Sequence, residues 1–314
     1  MRGWWQDLTD LVLPAECGGC GTPRTVLCDG CRAALSGAVP RRVRPVPEPS
    51  GLPAVYAAAP YADEVRAALL AHKERGALAL AGALGAALAG AVRAGLRDGP
   101  GDALQDGPAG LRDGRTVRIV TSWSSGTAGG AGASGPVLLV PVPSAPWAVR
   151  ARGHDPVRRI ALAAAAELRR AGTSARVVPA LRQRRAVADQ SGLNARQRYA
   201  NLAGALAVTA GGARLLAGGR VVLVDDLVTT GATLVEAARA IRGMAGAEGA
   251  GERAMAVYRR APWEGREERK TGPAEERAKW ARNASGMAEV NGLAGPVRAA
   301  VVAAASDSFE MNRN

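Results

Sequence analysis

Apolar residues run along the chain in two rhythms, short unbroken runs and longer stretches with three/four spacing, and the two alternate. LPAVYAAAPY (52–61) is a short run of strand type. ADEVRAALLAHKERG (62–76) puts Val65, Ala68, Leu69 and His72 on one helical face, with Gly76 as a stop. ALALAGALGAALAGAV (77–92) is uncharged, but it falls short of the ~20 residues of a membrane span, and Ala and Gly give little drive for insertion. It is expected to be a buried helix, with no membrane insertion. VLLVPVPS (137–144) predicts a buried strand that its prolines turn into a loop. Asp155 as N-cap and Pro156 at the first helical position open a helix whose buried stripe is Val157, Ile160, Ala161, Ala164 and Leu168. ARVVPAL (175–181) predicts a strand and the polar, Arg-rich 182–202 a mobile segment. VVLV (221–224) predicts a strand buried on both faces, and a helix is expected over 232–243. Two runs compete for the last strand, RAMAVYR (253–259) and VRAAVVAA (297–304). Strands alternating with helices predict an α/β fold with a mostly parallel sheet.

Composition divides the chain further. Residues 1–50 hold all four cysteines and a basic, proline-spaced connector, and form a small module with its linker. Residues 51–314 form the main domain, with flexible insertions expected at 97–135 and 245–295, where Gly-rich and charged low-complexity sequence interrupts the pattern. The formal charge of +13 invites a nucleic-acid partner. The arginines are dispersed, however, and in a phosphate-binding protein they also serve the ligand. The start, MRGWWQDLTD, has no apolar core of a secretory signal, so a cytoplasmic location is expected.

Cys17, Cys20, Cys28 and Cys31 read C-x-x-C, seven residues, C-x-x-C. Each pair can turn two thiolates toward one point, and two pairs complete a tetrahedral shell for a structural Zn²⁺. A pair of disulfides is the alternative, which a reducing compartment disfavours. With all four positions taken by protein, the metal would have no open site for chemistry.

The run VVLVDDLVTTGATL (221–234) concentrates the remaining chemistry. Asp225 and Asp226 close an apolar strand, at the end where ligands bind in open α/β sheets. The loop from Leu227 to Thr233 then opens a helix, aiming unpaired backbone N–H groups and the positive helix end at an anion. Thr229, Thr230 and Thr233 add hydroxyls, and Gly231 allows close approach. A phosphate fits the loop and the vicinal hydroxyls of a ribose fit the carboxylates, so a sugar phosphate satisfies the whole constellation. A capped helix after an acidic turn is the plain alternative. No Gly-Lys-Ser/Thr follows, which excludes a Walker A loop.

This run resembles the phosphoribosyl pyrophosphate (PRPP) motif of type I phosphoribosyltransferases, and the rest of the chain resembles the ComF family. The cysteine pairs are similar to that family's amino-terminal zinc finger. Tyr61, Lys73 and Gly76 match its Tyr-led segment ending in Lys-x-x-Gly, VPVPSAPWAVRARGHDPV its Val-Pro-Val-Pro stretch, and Gln190, Leu193, Arg198 and Asn201 its Gln-x-x-Leu…Arg-x-x-Asn segment. Two features depart from the family: RGHDPV at 152–157 stands where RGFNQA is usual, and a large insertion precedes the last strand.

The resemblance implies a type I phosphoribosyltransferase fold and a PRPP or ribose-5-phosphate ligand. Asp225 and Asp226, after Val224, would bind ribose hydroxyls directly or through Mg²⁺ and serve as the catalytic pair. Thr229, Thr230, Gly231, Ala232 and Thr233 would hold the 5-phosphate. Pro143 and Ser144 would lie near the pyrophosphate, with Lys73 and Arg198 as its charge partners. His154 is expected to be an ordinary loop histidine. Two functions remain open: transfer of a phosphoribosyl group to a base or amine, or a non-catalytic PRPP-fold protein acting with DNA or DNA-processing proteins in competence. An oligomer is compatible with either.

Overall fold

The computed structural model describes residues 16–98, 135–185, 195–243, 293 and 295–310. Most of both expected insertions, and the competing strand 253–259, lie outside these residues.

In chain order the elements are α1 (Asp29–Ser36), β1 (Arg41–Val43), β2 (Ala54–Pro60), α2 (Asp63–Glu74), a short 3-10 turn (Leu78–Leu80) and α3 (Ala81–Arg97). After the first insertion come β3 (Val137–Pro141), α4 (Pro146–Arg152), α5 (Pro156–Arg170), β4 (Ala175–Val177), β5 (Leu181–Gln183), α6 (Ala195–Leu202), β6 (Leu206–Val208), α7 (Gly212–Leu216) and β7 (Arg220–Val228). A helix over 232–243, α8, follows β7. The chain then returns with β8 (Arg298–Ala304) and α9 (Ser306–Glu310).

Six strands make one sheet in the order β1-β2-β8-β7-β3-β4. All neighbours run parallel except β1, which pairs antiparallel with β2 at the edge. The expectation of an α/β fold with a mostly parallel sheet holds. β5 and β6 form a separate antiparallel pair.

The strands show why a continuous apolar run suits this position. Side chains alternate between two faces with a period of two. Val222 and Val224 of β7, with Leu139 of β3, join one core, while Val221, Leu223 and Leu138 join the other. The first core is covered by α2, α3 and α5; the second takes Leu234, Ala238 and Ile241 of α8. Both faces are buried, so neither register of the strand can be polar.

The stretch Leu78–Arg97 is long and apolar enough to cross a membrane by length and composition. Here its helix lies in the core, burying Leu84, Leu88, Ala91 and Val92. α5 matches its expected start: Asp155 caps it by accepting from the N–H of Arg158, and Pro156 is its first residue.

Three boundaries differ from expectation. The run 175–181 breaks into β4 and the start of β5. The polar 182–202 contributes β5 and α6 rather than loop alone. The strand expected over 221–224 continues to Val228, because pairing with β8 carries on to Ala304. The amino-terminal cysteine module also packs on the main domain: Leu27, Cys31 and Leu35 share the core of α2, α3 and α5.

Candidate functional site

The parallel strands bring their carboxyl ends to one side. From β3 the chain crosses to β4 at one edge, while from β7 it crosses to β8 in the opposite direction. The crevice between the ends of β3 and β7 is therefore where strand connections diverge, the place where open α/β sheets bind ligands. The N–H of Val142 donates to the carbonyl of Val224 at 3.0 Å, seating the Pro143–Ser144 loop beside the start of the carboxylate pair. Ser144 Oγ donates to Asp155 Oδ1 at 3.5 Å, so this loop is tied to the cap of α5.

Asp225 and Asp226 lie inside β7. The N–H of Asp226 donates to Asp225 Oδ1 at 2.9 Å. Burial, and then the neighbouring charge of Asp226, push the Asp225 carboxyl well above the usual carboxylate range, against the pull of Lys73. Asp226 is itself buried, and its Oδ2 accepts from Lys73 Nζ at 2.7 Å. Burial alone would lower the Lys73 ammonium, but the charges of Asp226 and Asp225 outweigh it and hold the lysine above its ordinary value.

β7 passes to α8 through residues 229–231. Thr229 is exposed and Thr230 half-buried, with Thr230 Oγ1 accepting from the N–H of Ala232 at 3.5 Å. Gly231 has φ +75°, and a Cβ there would stand 2.8 Å from Leu52 Cδ1. Glycine thus meets both the backbone conformation and the close approach of the 49–52 connector. Ala232 and Thr233 lie in the first turn of α8, whose positive end would face an anion placed at the loop.

The last turn of α2 holds this site from the other side. Three consecutive residues reach three partners. The His72 carbonyl lies 3.2 Å from His154 Nε2. Lys73 meets Asp226. Glu74 accepts a two-pronged hydrogen bond from Arg152, at 2.9 and 2.7 Å. His154 is thus a buried histidine that braces the α4–α5 turn against α2, its Nδ1 lying 3.2 Å from the Arg152 carbonyl. His72 is fully buried, and burial lowers its imidazolium stability.

The four cysteine Sγ atoms lie within 4.8 Å of one another, with Cys20 and Cys28 3.5 Å apart. Metal–sulfur bonds of about 2.3 Å in a tetrahedron require spacings of that kind, so the cluster could bind a metal ion, consistent with structural zinc. Gly19 is required here by space, since a Cβ would stand 2.6 Å from Cys31 Sγ. Burial raises the Cys17 thiol, but the N–H groups of Cys28, Cys20 and Gly19 outweigh it and bring it down to about 6. Hydrogen bonding from Thr22 lowers Cys20. Burial, then the neighbouring thiols, drive Cys31 strongly upward, a cost a bound cation would relieve.

The structure therefore brings together Lys73, Pro143, Ser144, Val224, Asp225, Asp226, Thr229, Thr230, Gly231, Ala232 and Thr233. Arg198 belongs to α6, but its side chain lies outside the described residues, as does Gln190. Sequence patterns missed Glu74, Arg152 and the bracing role of His154, because each acts through a partner far along the chain. Trp147 was also passed over; an indole in an Ala-rich segment was the available signal. No family model, curated protein or solved structure matches the chain. Fold and site define an α/β protein with a mostly parallel six-stranded sheet, a carboxylate pair in a central strand, and a four-cysteine cluster near its amino terminus.

Proposed function

We propose that the protein binds PRPP or ribose-5-phosphate at 225–233 and is a phosphoribosyltransferase-like protein of ComF type, with a type I phosphoribosyltransferase fold and a structural Zn²⁺ on Cys17, Cys20, Cys28 and Cys31. The observation that carries the proposal is the coincidence of the motif with the divergence point of the sheet. The carboxylate pair and the loop before α8 line one side of the β3/β7 crevice, and the Pro143–Ser144 loop lines the other. In this reading the 5-phosphate sits on the loop at the start of α8. The ribose hydroxyls donate to Asp225 and Asp226, and the pyrophosphate lies toward Lys73 and Ser144.

The carboxylate pair also fits Mg²⁺. Its oxygens are hard donors, and it already draws the Lys73 ammonium to 2.7 Å. Bound there, Mg²⁺ would neutralise pyrophosphate charge and make it a better leaving group.

The test is a calorimetric titration of the full chain with PRPP and Mg²⁺, beside the Asp225→Asn/Asp226→Asn double variant. Binding to wild type and its loss in the variant is expected. No binding to wild type would sink the proposal. Binding without pyrophosphate release across a panel of bases and amines would make the protein a PRPP-responsive binding protein rather than a transferase.

A further inference from the structure

The β5–β6 pair rises from the carboxyl end of the sheet. The N–H of Val178 donates to the carbonyl of Leu139 at 2.8 Å, so the chain leaving β4 starts toward β5 beside the end of β3. Leu181 pairs with Val208 nearer the sheet, and Gln183 pairs with Leu206 at the outer end. There the N–H of Arg184 donates to the carbonyl of Ala205 at 2.8 Å, and the N–H of Ala205 donates to the carbonyl of Leu202 at 2.9 Å. Leu202 is the last residue of α6, so α6 is joined directly to this outer end.

Leu206 gives both its backbone groups to α8. Its N–H donates to Glu236 Oε1 at 3.0 Å, and its carbonyl accepts from Arg239 Nη2 at 2.9 Å. Arg239 also forks onto Glu236, at 2.7 and 2.8 Å. Residues three apart share one face of a helix, so the two side chains together take the place of a neighbouring strand. Glu236 is 3% exposed. A buried ion pair gains little or nothing over apolar side chains of the same volume, so stability alone does not account for a carboxylate here. Glu236 lies one turn after Ala232, ~6 Å along the helix axis. The pair thus ties the outer end of the ribbon close to the loop at 229–231.

We propose that Glu236 and Arg239 are positioning residues for the pyrophosphate end of the ligand. The assignment rests on the ribose-phosphate reading of 225–233. The chain they anchor, 182–202, carries Arg182, Arg184, Arg185, Arg196 and Arg198 against one acid, Asp189. Guanidinium groups suit phosphate oxygens, which they meet two at a time. One helix therefore sets both ends of the ligand. The loop before Ala232 holds the 5-phosphate, and one turn later Glu236 and Arg239 hold the arginine-rich chain. Neither side chain touches the ligand. Their effect falls on the part of PRPP that ribose-5-phosphate lacks.

The experiment titrates the full chain, in the presence of Mg²⁺, with PRPP and with ribose-5-phosphate. Wild type is expected to bind PRPP at least about tenfold tighter, since only PRPP carries the pyrophosphate. Glu236→Gln/Arg239→Met removes both charges together, so no unpaired charge is left in the core. It should weaken PRPP by about tenfold and leave ribose-5-phosphate within about twofold of wild type. A purely structural role would lower both affinities alike. Hydrogen exchange of wild type needs no variant: PRPP should slow the amides of 195–206 at least about threefold more than ribose-5-phosphate does. Equal loss of both ligands in the folded variant, wild-type PRPP binding in that variant, or equal exchange with both ligands overturns the positioning role alone. Wild type that binds neither ligand removes the ribose-phosphate reading and takes the positioning role with it.

Discussion

Replacing Lys73 by Met keeps most of the side-chain stem and removes only the charge that meets Asp226. At 2.7 Å separation, Coulomb's law with an effective dielectric of about 20 gives roughly 6 kcal/mol. Two effects reduce this. The lysine loses hydration on approaching the strand, and its side chain is still 35% exposed, so solvent screens the pair. A net loss of about 2 kcal/mol is expected, between the values for exposed pairs and those for breaking a buried one. The carboxylate left behind is only 9% exposed and adjoins a second one, which is why the loss exceeds that of a surface pair. Urea denaturation of wild type and variant at pH 7.5 measures it. The pH dependence checks its origin. Lys73 is raised in the folded state, so its contribution is complete below the ordinary lysine value of about 10.4 and disappears as pH climbs through the folded value. On the acid side Asp225, raised above ordinary carboxylates, takes up a proton early and relieves the repulsion in the variant. The difference should therefore shrink from pH 7.5 toward pH 4. A loss below about 0.5 kcal/mol would show the pair to be a solvated surface contact. A loss that stays constant with pH would assign it to the changed packing at the tip of the side chain and refute the electrostatic account.

Three further outcomes follow from the same geometry. Because Asp225 is raised, its contribution to stability is complete below the ordinary carboxylate value and is lost as pH rises through the folded value. Asp225→Asn should therefore be more stable than wild type at pH 7.5, by about 1 kcal/mol, with the gap closing toward pH 3.5. Scanning calorimetry showing a less stable variant at pH 7.5 would contradict this. Gly231→Ala forces a Cβ onto a backbone at φ +75° and to 2.8 Å from Leu52 Cδ1, costing about 1–2 kcal/mol; unchanged melting together with unchanged PRPP affinity would show that the loop yields freely. Cys20→Ser should lose the single equivalent of zinc expected in wild type, read by metal analysis of the purified protein, and full retention would remove the four-cysteine centre.

The sheet was legible because its strands are buried on both faces. VLLV, VVLV and AAVVAA carry no polar break, and the helices between them carry a clear stripe. The end of β7 was not legible. Asp225 and Asp226 look like the close of a strand, yet β8 continues the pairing past them, and tertiary pairing overrides the local polarity. The motif residues of the site were found because they are contiguous from 224 to 233. Lys73 could be noticed only by resemblance, since 153 residues separate it from Asp226. Glu74 and Arg152 were invisible because a charged helix end and an Arg-rich loop are ordinary surface patterns until folding makes them partners.

The end of α2 explains how a repulsive carboxylate pair can be held in place. Successive residues on a helix point about 100° apart, so His72, Lys73 and Glu74 cannot serve one partner. One grips the α4–α5 turn through its carbonyl, one neutralises β7, and one locks Arg152. These contacts hold the last turn of α2, and so the backbone that carries Lys73, which lowers the entropy lost when Lys73 stays on Asp226. A ligand carrying its own cation to the carboxylates would displace this ammonium toward solvent, which already reaches its 35% exposed side chain. The lysine then faces whatever anion the ligand brings. On the proposed ribose-phosphate reading, two carboxylates and one cation suit a ligand of mixed charge, with a metal ion for the acids and a polyphosphate for the lysine. The site is poorly matched to a simple anion, which the carboxylates would repel, and to a bare cation, which would leave the lysine unpaired.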